Sequence, residues 1–280
     1  MNAPMQQPAP MAPYQPPAKK KSKTLLIVAV VVVVAIVLIA AAVAMNGGNT
    51  KANSNDDKDD DNDNNDDDSN INDVDNTPTA RDQIANVTYS GTGDKISEKF
   101  LLQSGVTIFH MTHSGSSNFI VTLYNDTGNY EDLLANEIGT YDGAALVGVK
   151  TGNIIGTEPG QHYLQIEADG AWSIVIEQPR VSSAAALPQT LTGSGPDVLV
   201  PIDLTSGVAV FNMTHSGTSN FIVTLYADDG DYVDNLANEI GAYSGETSVT
   251  VNGGLFNASP GIHWVTVDAD GDWTIKITKM

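Results

Sequence analysis

The stretch SGVTIFHMTHSGSSNFIVTLYNDTGNYEDLLANEIGTYDG at residues 104–143 returns, 102 positions later, as SGVAVFNMTHSGTSNFIVTLYADDGDYVDNLANEIGAYSG at residues 206–245. More than half of the positions are identical, which makes the C-terminal part of the chain an internal duplication of a unit of about 100 residues. Inside each copy the apolar residues alternate with polar ones, and the punctuation is Gly, Asn and Asp. Residues 119–124 and their copy at 221–226 read as half-buried strands that run into Gly-containing turns.

Working outward, PGQHYLQIEADGAWSIVIEQ (159–178) pairs with PGIHWVTVDADGDWTIKITK (260–279) after a one-residue deletion. Leu164 and Ile166 alternate with Gln165 and Glu167, and Val265 and Val267 do the same in the second copy. Asp169-Gly170 and Asp270-Gly271 supply the dipeptide favoured in tight hairpins, so a C-terminal hairpin is predicted that carries Trp172 and Trp273 into the core. Residues 131–139 are ambiguous, because Leu133, Leu134 and Ile138 fit a helix face, but a short strand is preferred. Many short strands with regular turns make each unit a β-sandwich, immunoglobulin-like or jelly-roll-like, over residues 80–180 and 181–280, with the Pro-flanked segment 178–189 as the boundary.

The remaining N-terminal residues have another composition. Residues 1–23 form a Pro-rich tail read as disordered, ending in Lys19-Lys20-Lys21-Ser22-Lys23. Within it Pro13-Tyr14-Gln15-Pro16 has PxxP spacing, which low-complexity tails produce freely. Residues 24–45 are then apolar, without a charged side chain, and a helix of that length reaches about 30 Å, the thickness of a bilayer core. Four lysines abut its N-terminal end, which predicts a cytoplasmic N-terminus and C-terminal domains outside. A cleaved signal peptide is the competing reading, since Ala42-Val43-Ala44 has the form of a cleavage site, but the apolar run is too long for one and a signal-anchor helix in the plasma membrane fits better. Residues 46–79 follow with eleven Asp and two Lys, a disordered acidic linker that cannot build a core. Asp59, Asp61 and Asp63 open like an EF-hand loop, but Asn64 and Asn70 stand where Gly and Glu are required.

The whole reading is therefore an all-β pair of tandem β-sandwiches after one transmembrane α-helix and a disordered acidic linker. The pattern Gly91-Thr-Gly93, His113-Ser-Gly115, Ser117-Asn-Phe119, Leu134 to Gly143 and Ala168 to Ile174, repeated in the second unit, resembles a module of membrane-anchored and secreted actinobacterial proteins. That resemblance implies an extracytoplasmic β-sandwich on a cell envelope and transfers no catalytic or binding residue.

Charge and composition bound the function. The 280 residues hold 34 acidic against 13 basic side chains, net −21, so nucleic acid is not an expected partner. Cysteine is absent, which removes disulfides and thiol chemistry. No nucleophile elbow, P-loop or H-E-x-x-H is present, so no enzyme and no cofactor are expected. His113, His162, His215 and His263 are the candidate metal ligands, with Asp268, Asp270 and Asp272 as a calcium-loop fragment. Strand phase instead predicts that the histidines sit at core edges, bonded to loops. Tyr124, Tyr130 and Tyr141, with Tyr226, Tyr232 and Tyr243, are the candidate ligand surface, on which a sugar or peptide could stack. The alternative is that these tyrosines close the ends of the sandwiches. The expected role is binding, adhesive or structural, towards an envelope polysaccharide or protein. A signalling or assembly component coupled through the Pro-rich tail is the second reading, and an envelope enzyme the third.

Overall fold

The computed structural model describes residues 84–152, 156–254 and 257–280. The tail, the membrane span at 24–45 and the acidic linker at 46–79 lie outside the described residues. Every regular element among the described residues is a β-strand.

The first unit contains β1 (Val87–Thr92), β2 (Lys95–Ile96), β3 (Phe100–Leu102), β4 (Gly105–His113), β5 (Asn118–Asn125), β6 (Tyr130–Ile138), β7 (Tyr141–Val149), β8 (Gly160–Ala168) and β9 (Ala171–Glu177). The next segment holds β10 (Ala185–Ala186). The second unit continues with β11 (Gln189–Ser194), β12 (Asp197–Val198), β13 (Ile202–Leu204), β14 (Gly207–His215), β15 (Asn220–Ala227), β16 (Tyr232–Ile240), β17 (Tyr243–Val251), β18 (Gly261–Ala269) and β19 (Asp272–Lys279).

In the first unit one sheet runs β1-β9-β4-β7 and the other β2-β8-β5-β6, with β3 also on β8. Successive strands therefore cross repeatedly from one sheet to the other, and the long pairs are antiparallel. This interleaved order is the jelly roll, two Greek keys wrapped into a sandwich. The second unit repeats it as β11-β19-β14-β17 against β13-β18-β15-β16, with β12 also on β18. The expected sandwiches are thus present, in their jelly-roll form.

Alternation dictates which residues fill each sandwich. Phe119, Val121 and Leu123 of β5, with Leu164 and Ile166 of the neighbouring β8, face Phe109 and Met111 of β4 and Trp172, Ile174 and Ile176 of β9. The second core repeats the set with Phe211, Met213, Phe221, Val223, Leu225, Val265, Val267, Trp273, Ile275 and Ile277. The predicted hairpins form with two-residue Asp-Gly turns. Trp172 Nε1 donates to the Gly93 carbonyl and Trp273 Nε1 to the Gly195 carbonyl, both at 2.9 Å. Each indole also lies across a glycine of the pairing strand. A Cβ at Gly91 would come within 2.7 Å of the Trp172 ring, and one at Gly193 within 2.2 Å of Trp273.

The ambiguous segment is strand β6. Its pairing with β5 shifts register twice, between Val121 and Thr122 and between Leu123 and Tyr124. A bulge puts two successive residues on one face, and Leu134 and Ala135 are accordingly both buried while Leu133 and Ile138 are exposed. The segment 178–189 is more structured than a plain boundary. Gln178 bonds the backbone of Gln103 and Leu101, Arg180 donates to the Ser104 carbonyl, and β10 pairs in parallel with β13.

Candidate functional site

Three aromatic rings line up across each unit. Tyr124 of β5 is opposite Tyr163 of β8 and Tyr130 at the start of β6, so the three side chains form a row across adjacent strands on the outer phase of the sheet. Tyr124 and Tyr163 stack at 5.4 Å with rings 13° apart, and Tyr130 meets Tyr124 edge-on at 6.4 Å. Strands about 4.8 Å apart make this a strip about 10 Å long. The second unit carries the same row as Trp264, Tyr226 and Tyr232.

The two rows have different surroundings. Trp264 is buried, with half-buried Tyr226 beside it, against Val106 and Ile108 of β4 and Ala144 and Leu146 of β7, so the aromatic face of the second unit docks on the outer β4–β7 face of the first. Trp264 Nε1 donates to Asp228 at 3.1 Å, and burial pushes the Tyr226 phenol well up. Lys150 closes the rim with hydrogen-bonded ion pairs to Asp231 and, at 2.9 Å, Asp229. Because Lys150 is partly exposed, Lys150→Ala is expected to cost only about 0.5 kcal/mol by chemical denaturation. Among the described residues the equivalent row in the first unit has no such cover. Tyr130 is 61% exposed, and Tyr124 and Tyr163 are half-buried by their own strand neighbours.

Two of the candidate tyrosines in each unit are therefore placed in the row. Tyr141 and Tyr243 are not. They lean on Phe119 and Phe221 at 5.5 Å and cover the core end, because β7 and β17 start on the opposite sheet. The row also contains Tyr163 and Trp264, which sequence reasoning missed. Their signal was the hairpin phase, in which they fall one residue out of step with buried Leu164 and Val265.

The histidines are placed separately. His113 stacks on Phe119 at 4.8 Å, its Nδ1 faces the Gly139 carbonyl at 2.7 Å, and its Nε2 lies 3.3 Å from Asp169 Oδ1. Asp169 Oδ2 in turn accepts from the Ser116 and Ser117 backbone N–H groups and the Ser116 hydroxyl. His215, Phe221, Gly241, Asp270, Thr218 and Ser219 repeat the arrangement. In a hydrolytic triad histidine bridges nucleophile and carboxylate. Here the carboxylate is the bridge between imidazole and hydroxyl, and the group works as a latch tying three loops at one end of the sandwich. His162 and His263 are buried on the inner phase of β8 and β18, their Nδ1 atoms against the Gly160 and Gly261 carbonyls. Asp272 is exposed at the start of β19. Among the described residues no three His, Asp or Glu side chains converge as a metal site.

Acids of opposite tendency meet near this end. Hydrogen bonds hold the Asp169 carboxyl below its ordinary range, and at Asp270 they outweigh burial to the same effect. Burial, with repulsion between Glu137, Asp268 and Asp270, pushes Glu137 and Asp268 up. The lowered pair stabilises the fold above the unfolded carboxylate value and loses that contribution as pH falls through the folded value. The raised pair does the reverse, since its protonation favours the folded state. The melting midpoint is therefore expected to rise as pH drops from neutrality towards the carboxylate range, and to fall below about pH 4. A calorimetric series in pH checks it, and Asp169→Asn with Asp270→Asn should flatten the acid limb.

A cleft of about 360 Å³ lies along the seam between the units, lined by His110, Thr112, Asp142, Ser173, Ser194 and Asp197. Its lining carries no Tyr, Trp or Phe ring, so the exposed aromatic row is the stronger candidate.

No family model and no curated protein matches the chain. Among solved structures, similarity is found to a chain from the triple jelly roll and turret assembly of an archaeal virus, at 12% identity and a TM-score of 0.25, over 70% of this chain and 52% of that one. This chain thus spans about half of that protein's length. The major capsid protein P2 of bacteriophage PM2 is similar at 10% identity and a TM-score of 0.21, over 70% of this chain and 97% of that one. Oxalate decarboxylase of B. subtilis is similar at 9% identity and a TM-score of 0.20, over 71% of this chain and 69% of that one. At such scores the likenesses carry no argument about activity or ligand. The family stays open, and the strand order itself is what makes each unit a jelly roll.

Proposed function

We propose that this chain is a single-pass cell-envelope protein that displays two coupled jelly rolls outside the membrane as a binding or adhesive module. Residues 24–45 anchor it, the N-terminus is cytoplasmic, and the acidic segment 46–79 acts as the stalk. The observation that carries the binding role is the open aromatic row Tyr163–Tyr124–Tyr130, whose counterpart in the second unit is a contact surface. Net negative charge on the displayed part suits a surface protein that stays clear of anionic headgroups.

The test is protease treatment of intact cells expressing the full chain with an epitope at each end. The C-terminal epitope is expected to be lost and the N-terminal one kept. Protection of the C-terminal epitope, or an N-terminal sequence beginning at Met45, would remove the anchored-display reading.

A further inference from the structure

We propose that the open face of the first unit, centred on Tyr163, Tyr124 and Tyr130, is the ligand site and takes a neutral glycan chain; this rests on the binding role above and names its ligand class. The duplication supplies the argument, because the same face can be read twice, once occupied and once free. In the second unit two of its three rings, Trp264 and Tyr226, are covered by an apolar sheet face while Tyr232 stays 48% exposed, and the turn beside it, Asp228-Asp229-Gly230-Asp231, is acidic and clasps Lys150. In the first unit the row stays aromatic and Asp126 matches Asp228, but the other two acids of the turn are exchanged. Thr127 and Asn129 stand where Asp229 and Asp231 do, and Asn125 replaces Ala227.

These replacements build a fixed array of neutral donors and acceptors beside two remaining acids, Asp126 and Glu131, the second of which accepts from Asn125 Nδ2 at 2.9 Å. Asn125 Oδ1 accepts from the Thr127 hydroxyl at 2.7 Å and from the Thr127 and Asn129 backbone N–H groups, and Asn129 Nδ2 donates to Thr127 Oγ1 at 3.0 Å. Tyr163 Oη lies beside Gly128 of that turn, 3.7 Å from where a Cβ would stand. Gln165 adds an amide on the same outer phase of β8, half-buried. Aromatic faces bordered by amides and hydroxyls suit pyranose rings, whose C–H faces stack on π-surfaces while their hydroxyls exchange hydrogen bonds at the edge. Three rings across three strands form a strip about 10 Å long, enough for consecutive sugars of one chain.

A second copy of this chain is a poor occupant. It would have to offer the outer face of its second unit, where Glu246, Ser248, Thr250 and Asn252 replace the Ala144, Leu146, Gly148 and Lys150 that receive the aromatic row within the chain. Gly148 is decisive, since a Cβ there would stand 2.0 Å from the Gly230 carbonyl oxygen. Thr250 brings one. A head-to-tail contact of this kind can continue into a filament, and the outer face of the second unit is polar where a continuing stack needs it apolar. A polyanion is also disfavoured, as residues 80–280 carry 23 acidic against seven basic side chains.

The experiment uses the detergent-solubilised full chain, immobilised, with dextran, mannan and a cello-oligosaccharide as neutral probes and polygalacturonate as the anionic one. Saturable binding of a neutral probe is expected, weakened at least tenfold in Tyr124→Thr/Tyr163→Thr, and unchanged in Thr250→Ala on the other outer face. A retained thermal transition shows that the double variant is folded, and Tyr130→Ser, at an exposed ring, gives a second reading with several-fold weakening expected. No binding of any neutral probe, equal binding of polygalacturonate, or binding indifferent to the tyrosines would overturn the glycan assignment. Sedimentation of the same samples separates the two levels of the reading. Self-association abolished by the tyrosine changes would make the face a contact between copies, leaving a binding face with the wrong ligand. A chain that binds neither sugar nor isolated envelopes and stays monomeric would remove the binding role as well.

Discussion

Trp273→Ala is expected to destabilise the second unit by about 4 kcal/mol. The indole is 2% exposed, lies over the neighbouring strand β11 of its own sheet, and satisfies its only polar atom on the Gly195 carbonyl. Neighbours cannot collapse into the space, because the ring packs on the bare backbone of Gly193 and no side chain there can reach inward. For a unit of about 100 residues the loss corresponds to a fall of roughly 20 °C in the melting midpoint. Urea denaturation measures it, with the first unit as internal reference, and a loss under about 1 kcal/mol would mean that the core is not organised around this ring. The opposite change, Gly193→Ala, presses a methyl into the ring at 2.2 Å and is expected to cost about 2 kcal/mol in the same unit.

Gly148→Thr is expected to separate the two units without unfolding either. At this point the backbones of β7 and of the turn at Gly230 are too close to admit a Cβ, and the clash is with a carbonyl oxygen rather than with a side chain that could swing away. Overpacking of that kind costs about 3 kcal/mol, and here the cost falls on the contact between the units. Trp264 reports it directly. It is 4% exposed at the interface, whereas Trp172 and Trp273 are buried in the two cores, so a red shift confined to one of the three indoles is expected, together with two resolved transitions in calorimetry. Thr250→Gly, the mirror change on the free face, should alter neither. A single unchanged transition in Gly148→Thr would show that the two units are not joined through this face.

The features that the sequence disclosed are those with a strict local period. Trp172, Ile174 and Ile176 declare a strand with one buried phase, and Asp169-Gly170 declares its turn, because pleating and hairpin geometry act over two to four residues. The phase of His113 and His162 likewise placed them at core edges, where the structure finds them. Residues 131–139 resisted reading for an equally local reason. The bulges opposite β5 put Leu134 and Ala135 on one face, and a doubled residue in a period of two imitates the spacing of a helix turn. The candidate ligand surface was legible only in part. Tyr124 and Tyr130 were found by their recurrence, Tyr163 was passed over, and Tyr141 was included because sequence separation does not say which sheet a tyrosine stands on.

By itself, then, the sequence determined that there are two copies of one all-β unit, which phase of each main strand is buried, and where the hairpins turn. These follow from the chain's own alternation. The tertiary structure alone decided how strands cross between sheets, and hence that each unit is a jelly roll, and it decided which outer faces meet. Alternation assigns the outer phase of every strand to solvent in the same way. Ala144, Leu146 and Gly148 against Glu246, Ser248 and Thr250 read as drift between copies until the second unit is seen resting on the first three. The same holds for the two aromatic rows, nearly alike in sequence, of which one spends Trp264 and Tyr226 on an internal contact and the other is covered by none of the described residues.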